Sequence, residues 1–454
     1  MRVRLSKSIH ISEICRLFHI SCAVKDCHIW NVVTNSTEAT EGSLFVALRG
    51  EQQDGHCYIE DAIKRGATAI LCEEYNETIP LKATIIHVEN TVWALGKLAS
   101  YYKASLGAKT IAITGSVGKT TTRFLLEQLL TKKHIVHATK DNQNNELGVP
   151  LTILSAPSST EILLLEMGMN HKEEIHRLSV IAKPDMAIIT AVGHAHIGHL
   201  GSVDDIARAK LEIIDGMDEG HLFLPDNIIY IPAKTHIRTW TLGVTDTANY
   251  RLDTNKNAIV FPKGNLIFLT EKFTPYPFAR AALSASAICD RLDFSREEIE
   301  EYLALCSFPQ GRLAEEVHNG ILYIDDAYNA SPESMYEALL FTATKNGEKY
   351  AVLGDMLELG HITESAHFAI GKLLSSLSFS HIWLVGEYAD FIKNGAVQNG
   401  MPEQKISIAT KSQALYDLKR TLGDGCTLLV KGSHKNKLSL FLKELQKEKR
   451  KETS

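Results

Sequence analysis

Between an apolar run and a helical one the chain reads Thr114-Gly-Ser-Val-Gly-Lys-Thr-Thr121. Glycines around a turn let backbone N–H groups converge on phosphate oxygens, and a lysine beside them adds a point charge. The usual phosphate loop has four residues between its first glycine and Gly-Lys-Ser/Thr. By that count the first glycine would fall at Ile113; the glycine present, Gly115, stands only three residues before Gly118. The loop is short, yet its setting is right. The strand-like KTIAIT runs into it and the helical TTTRFLLEQLLTKK leaves it, so Lys119 can reach terminal phosphates and Thr120 or Thr121 can reach Mg²⁺.

Three other places carry candidate chemistry. Glu166 ends the apolar strand EILLLEMG, and a carboxylate at the C-terminal edge of a parallel strand sits where ligands bind in open α/β sheets. It can hold Mg²⁺, or serve only as a partner for the following helix start. The run VGHAHIGHLGS holds His194, His196 and His199. His-x-His suggests a shared zinc, but neither a following Asp-His nor a cysteine partner completes such a set, so loop histidines are the favoured reading for His194 and His199. Lys210, in the helical DDIARAKLEI, reads from its acidic neighbours as a surface lysine.

These residues need a scaffold. GSLFVAL, ATAILCEE and ATIIHVEN fit short buried strands, YIEDAIKRGA fits a helix ending at Gly66, and TVWALGKLASYYKASLG fits one ending near Gly107. From KTIAIT onward strands and helices alternate, which implies a parallel sheet with crossover connections. The section from about Gly220 to Phe273 is shorter in period and suggests hairpins; two helices follow. From GRLAEEV the alternation resumes as a third, open α/β unit. The 454 residues therefore divide into domains at about 106/107 and 310/311.

Composition excludes several classes. A net charge of −6 argues against a general nucleic-acid binder. No apolar stretch has the length of a membrane span, and the N-terminus lacks the apolar core and small-residue site of a signal peptide. Cys15, Cys22, Cys27, Cys57, Cys72, Cys289, Cys306 and Cys426 are scattered without a Cys-x-x-Cys pair, which fits reduced, mostly buried thiols and a cytoplasmic setting. The charged end KELQKEKRKETS reads as a solvated helix terminus.

Taken together, TGSVGKTT, NQNNELGVPLTIL, EMGMNHKEEIHRL, AVGHAHIGHLGSVDDIARAKLEI, DDAYNASPESMYEAL, LGDMLELG with a later His, and FVALRGEQQDGHCYIEDAIKRGATAIL resemble the Mur ligase family of ATP-dependent amide-forming enzymes. The resemblance spans essentially the whole chain, and the short loop is the family's own form. It implies an α/β fold in three domains: 1–106 binding a UDP-sugar peptide, a central phosphate-loop ATPase at 107–310, and a Rossmann-like domain at 311–454. The branch most resembled adds D-alanyl-D-alanine to UDP-N-acetylmuramoyl-tripeptide through an acyl phosphate, making a peptidoglycan precursor for cell-wall growth, cell shape and division. A sibling ligase adding a single amino acid, and a catalytically silent nucleotide-binding homologue, remain the alternatives.

Carried over by position, the resemblance implies ATP contacts from Thr114, Gly115, Ser116, Val117, Gly118, Lys119, Thr120 and Thr121, joined by Arg312, Asp326 and Asn329. Thr120, Glu166, His196 and a carbamylated Lys210 would surround two magnesium ions, with Lys119, Lys210 and His196 the catalytic set. Ser36, Asn145, Tyr328, Asp355 and Glu358 would contact substrate, and the enzyme would be a cytoplasmic monomer. Four positions depart from the family pattern: Thr37 and His434 stand where Arg is usual, Pro277 lies where a His-Asn pair is expected, and Ala191 replaces an Asn.

Overall fold

A computed structural model describes residues 1–20, 27–50, 52–75, 83–228 and 236–452. Cys22 lies outside them; of the seven described cysteines, Cys15, Cys72, Cys289, Cys306 and Cys426 are buried. Three sheets follow one another along the chain. The first holds β1 (Arg2–His10), β2 (His28–Val33), β3 (Ser43–Val46), β4 (Ala69–Cys72) and β5 (Thr84–His87) in that spatial order, with β1 antiparallel and the rest parallel. The N-terminal strand β1 was not evident from the sequence because its alternation breaks between Arg4 and Ile9, where the pairing register shifts.

The second sheet contains β6 (Lys109–Thr114), β7 (Val136–Ala138), β8 (Ile162–Glu166), β9 (Met186–Ile189), β10 (Gly220–Pro225), β11 (Ile237–Gly243), β12 (Tyr250–Asp253), β13 (Ala258–Val260) and β14 (Leu266–Phe268). Its order, β14-β13-β12-β11-β10-β9-β6-β8-β7, places β6 between β9 and β8. The chain runs from β6 to one side and returns to the other, so the carboxyl end of β6 is a topological switch point, where open α/β sheets bind ligands. The section expected to hold hairpins does so only at β12–β13–β14; β10 and β11 extend the parallel sheet. Leu222, Phe223 and Leu224 are buried with strands on both sides, which gives this short run a central-strand role.

The third sheet comprises β15 (Ala314–His318), β16 (Ile321–Asp326), β17 (Lys349–Leu353), β18 (His381–Leu384), β19 (Ile406–Ile408) and β20 (Thr427–Lys431), ordered β15-β16-β20-β17-β18-β19. Only β15 is antiparallel. It joins β16 through Asn319-Gly320, both at positive φ, as a tight right-twisted hairpin demands.

Local chemistry sets the helix ends. Asn90 accepts from Trp93 N–H at 2.9 Å to start the helix Thr91–Leu106, and Gly107 ends it at φ 66°. Tyr102 on that helix accepts from Ser6 N–H of β1 at 3.0 Å, and Ser6 donates its hydroxyl to the Ala156 carbonyl, tying the first sheet to the second. The charged C-terminus continues a helix, Leu438–Glu452, as expected. Among the described residues no helix is long and apolar enough to cross a membrane.

Leu164 lies in β8, paired with both β6 and β7 and fully buried. Leu164→Ala leaves a cavity under the phosphate loop and should cost about 2–5 kcal/mol. A lower thermal midpoint of the central unit, followed by circular dichroism, is the expected result.

Candidate active site

The short loop works because a second segment completes it. Gly115 adopts φ 152°, and a Cβ there would fall 2.0 Å from Thr190 Oγ1. Thr190, just past β9, donates to the Val117 carbonyl at 2.6 Å, and Ser116 N–H donates to the Ala191 carbonyl at 2.8 Å. Ser116 Oγ also accepts from Gly193 N–H at 3.0 Å. The turn is thus stitched to 190–193 instead of being supported by extra residues of its own. Ala191 acts here through its backbone, so the departure at that position leaves the stitch intact. Gly118, at φ 87°, then opens the helix Lys119–Leu130.

Lys119 folds back so that Nζ donates to the Gly115 carbonyl at 2.5 Å. Burial pulls its pKa down; Glu166 opposes this and Arg312 adds to it. At the next residue, Thr120 Oγ1 donates to Glu166 Oε1 at 3.2 Å, and Asn144 Nδ2 donates to the same oxygen at 3.0 Å. Glu166 is only 2% exposed. Its other oxygen, Oε2, is buried without a hydrogen bond and lies 3.7 Å from Arg123 Nε. Of the Asn-rich stretch, then, Asn144 reaches the carboxylate. Asn145 instead accepts from Leu147 and Gly148 N–H groups to open the helix Gly148–Leu154, while still facing the cavity.

Lys210 is not a surface lysine. It is 1% exposed, and burial together with nearby Lys119 drives its pKa well down; among the described residues no carboxylate pairs with it. Acidic sequence neighbours suggested a solvated face, but Lys210 shares the inward face of its helix with Ile206 and Ala209. The three histidines part company. His194 Nδ1 meets Glu333 Oε1 at 2.6 Å, His196 Nδ1 lies 2.7 Å from Glu358 Oε2, and the His199 ring packs edge-on against His171. The His196 ring is off the line of a hydrogen bond, yet its proximity is the main influence holding the Glu358 carboxyl below its usual range. Among the described residues no three His, Cys, Asp or Glu side chains converge as a metal cluster, so the zinc reading finds no support.

The third sheet supplies the opposite wall. Arg312 Nη2 donates to Thr120 Oγ1 at 3.3 Å while its guanidinium covers the Tyr328 ring at 4.1 Å. Asp326, at the end of β16, accepts from Lys431 Nζ at 2.6 Å and from Leu313 N–H at 3.1 Å; Lys431 also donates to the Asn329 carbonyl. These groups and the phosphate loop enclose one cavity of about 650 Å³, lined among others by Ser116, Gly118, Lys119, Thr120, Glu166, His196, Arg280, Arg312, Asp326, Asn329, Glu358 and Lys431. Such a volume suits a nucleotide-sized ligand.

Some expected residues do not reach it. Thr114 is buried behind the loop, donating to the Met167 carbonyl. Ser36 is buried in the first sheet's unit, its hydroxyl engaged with Asp61. Nearby Thr37 donates to Asn35 Oδ1. Asp355 lies outside the cavity: its carboxylate accepts from Glu387 N–H, Tyr388 N–H and Asn436 Nδ2, so it braces a loop and offers no free oxygen to an incoming amine. His434, one of the departures, packs edge-on against Tyr328.

Three descriptions of known families match consecutive parts of the chain: the Mur ligase family catalytic domain over 28–103, the Mur ligase middle domain over 113–274, and the Mur ligase glutamate ligase domain over 311–434. The UDP-N-acetylmuramoyl-tripeptide--D-alanyl-D-alanine ligase of Bacillus subtilis (strain 168) is 34% identical over 429 residues, 92% of this chain and 93% of that one. The chain belongs to the Mur ligase family. Its fold is the three-domain Mur ligase architecture: MurF from Acinetobacter baumannii superposes with a TM-score of 0.84 at 26% identity, covering 98% of this chain and 100% of that one. The MurF ligase of Thermotoga maritima, solved in complex with ADP, gives 0.81 at 28% identity, covering 93% and 98%.

Against that family background, several cavity groups escaped the sequence reading. Lys431 ends the apolar strand CTLLVK, the same edge-of-strand signal that pointed to Glu166. Arg280 and Glu337, paired at 2.9 Å across the two sheets' helices, have no role in that reading, although Glu337 lies within DDAYNASPESMYEAL. Away from the cavity, His367, fully buried, accepts from Met356 N–H at 3.0 Å and donates from Nδ1 to the Thr363 carbonyl, so it fixes the loop bearing Asp355 and Glu358.

Burial lowers the His367 pKa below its ordinary value of 6.5. Below about pH 6.5 the unfolded chain binds a proton that the folded one refuses, so stability falls as pH drops, by up to about 1.4 kcal/mol per unit until the folded value is reached. His367→Gln should be moderately destabilised at pH 8 but lose this part of the slope. Paired thermal melts of the two proteins between pH 8 and pH 5 measure the difference.

Proposed function

We infer that this chain is an ATP-dependent ligase that joins D-alanyl-D-alanine to UDP-N-acetylmuramoyl-tripeptide. One observation carries the reading: the phosphate loop and Glu166 of the second sheet and Arg312, Asp326 and Lys431 of the third converge on a single cavity, in a chain similar over nine-tenths of its length to a ligase of that name.

A carboxylate is a poor electrophile. In the proposed reaction its oxygen attacks the terminal phosphorus of ATP, ADP leaves, and an acyl phosphate forms. The dipeptide amine then adds to the acyl carbon, and the tetrahedral intermediate expels phosphate as the amide forms and the amine proton is lost. Little covalent work falls to the protein; placement and charge do most of it. The loop N–H groups of Gly115 to Thr120 hold the phosphates, and Lys119, released from the Gly115 carbonyl, meets the transferring group. Arg312 and Asp326 present the nucleotide from the third sheet, with Tyr328 and Asn329 beside it.

The residues fit a hard divalent cation. Glu166 Oε2 is a buried oxygen with no donor, and the Thr120 hydroxyl stands beside its partner oxygen. We assign Mg²⁺ to Glu166, Thr120 and His196, with Lys210 as its carbamate at a second ion; when bound, the ions neutralise charge on the phosphoryl group. A buried, neutral Lys210 amine is the form that adds to CO₂, losing one proton as the N–C bond forms. Asn145, Glu358 and, in the first sheet's unit, Ser36 are the proposed substrate contacts, and the domains divide at 106/107 and 310/311. A cytoplasmic monomer supplying cell-wall precursor for growth and division completes the proposal.

Phosphate release should require ATP, Mg²⁺, the UDP-linked tripeptide and D-alanyl-D-alanine together and yield the pentapeptide, with Lys119→Ala reducing it at least about 10²-fold. Release with a single amino acid in place of the dipeptide points to a sibling ligase, and ATP binding without release to a silent homologue. Separately, protein equilibrated with ¹³C-bicarbonate should show a carbamate carbon signal that Lys210→Met abolishes.

A further inference from the structure

Arg280 has no part in the reaction just described, yet it lines the same cavity. It sits in the first turns of the helix Tyr276–Arg291, which packs on the helix leaving the phosphate loop. Its guanidinium is divided between two tasks. Nη1 donates to Glu337 Oε1 at 2.9 Å, on the helix Pro332–Ala343 of the third sheet's unit. Nη2 is buried without any hydrogen-bond partner, and a Cβ placed on Gly118 would lie 3.6 Å from it, so this nitrogen rests against the turn that precedes Lys119.

A buried guanidinium N–H left unpaired is unfavourable, and the cost is relieved by any acceptor that arrives. The chemistry at this spot selects the acceptor. A phosphate held by the backbone N–H groups around Gly118 brings anionic oxygens to the turn the guanidinium touches, and Arg pairs with phosphate by charge-assisted bonds. We propose that Arg280 is a phosphate ligand of the bound nucleotide, oriented by Glu337 so that the grip on phosphate depends on the third sheet's unit standing against the second. The proposal rests on the nucleotide part of the ligase reading. Because Glu337 takes one edge of the guanidinium, the free edge has a fixed direction, and separation of the two units would release it.

The test is equilibrium binding of ADP and of adenosine to the full chain with Mg²⁺, for wild type, R280A, R280K and E337Q. R280A should weaken ADP about 10- to 100-fold and leave adenosine unchanged. R280K keeps the charge but cannot serve both partners with a fork, and should fall between; E337Q should weaken ADP by a smaller factor than R280A. If R280A melts before binding is measured, R280K and E337Q carry the comparison. ADP affinity indifferent to these substitutions overturns the proposal, and so does an equal loss for adenosine, which would place Arg280 on the base or ribose. Wild type that binds ADP but makes no pentapeptide sinks the ligase reading and leaves the Arg280 comparison standing; wild type that binds no ADP overturns both.

Discussion

A half-buried lysine set between a buried carboxylate and a fully buried second lysine is the constraint around which this site is arranged. Lys119 helps lower the pKa of Lys210, Arg312 helps lower that of Lys119, and Glu166 opposes the shift at Lys119. Charges removed from water are costly unless paired. The protein's internal remedies are partial: Lys119 bends onto its own loop's carbonyl, Thr120 and Asn144 share one Glu166 oxygen, and burial lowers the Lys210 pKa. An anionic nucleotide supplies what is missing. Binding energy is thereby built in before any substrate contact is made.

That arrangement holds only while two sheets stand together. Four contacts cross between their units near the cavity: His194 to Glu333, His196 to Glu358, Arg280 to Glu337 and Arg312 to Thr120. The backbones also touch, since Gly198 N–H donates to the Glu358 carbonyl and a Cβ on Gly360 would fall 2.6 Å from Gly198 Cα. His196 and Glu358 both take positive φ at this junction. Such strain in bulky residues persists when surrounding contacts over-determine it, and it clusters where parts must meet in one geometry. The cavity thus exists only where the two units meet, lined by residues from both.

How much of this was legible depended on the reach of each signal. The phosphate loop, Glu166 and the strand–helix alternation are local patterns, and all appeared where the sequence placed them. Lys210 was misread because charge neighbours along the chain, Asp204 and Asp205, say nothing of which helix face turns inward. Asp355 was placed near the amine by resemblance, yet its oxygens are spent on the 386–388 turn and Asn436, a contact separated by more than thirty residues. Arg280 and Glu337 meet only through the docking of two helices, so no local pattern pairs them. The edge strand β1 and the central placement of β10 are likewise tertiary outcomes: propensity and period name an element, and neighbours decide its rank in the sheet.

The shortness of the phosphate loop follows from the same division of labour. A longer loop surrounds phosphate with its own backbone, whereas here Thr190, Ala191 and Gly193 at the end of the neighbouring strand complete the turn. Because β9 lies directly beside β6, that second segment is held in register by the sheet itself. The cost is steric: Gly115 has no room for a Cβ against Thr190. The gain is coupling, since the residues that complete the loop run straight on into His194 and His196, which touch the third sheet's unit. The segment from Thr190 to His196 thus carries both the residues that complete the loop and those that meet the third sheet's unit.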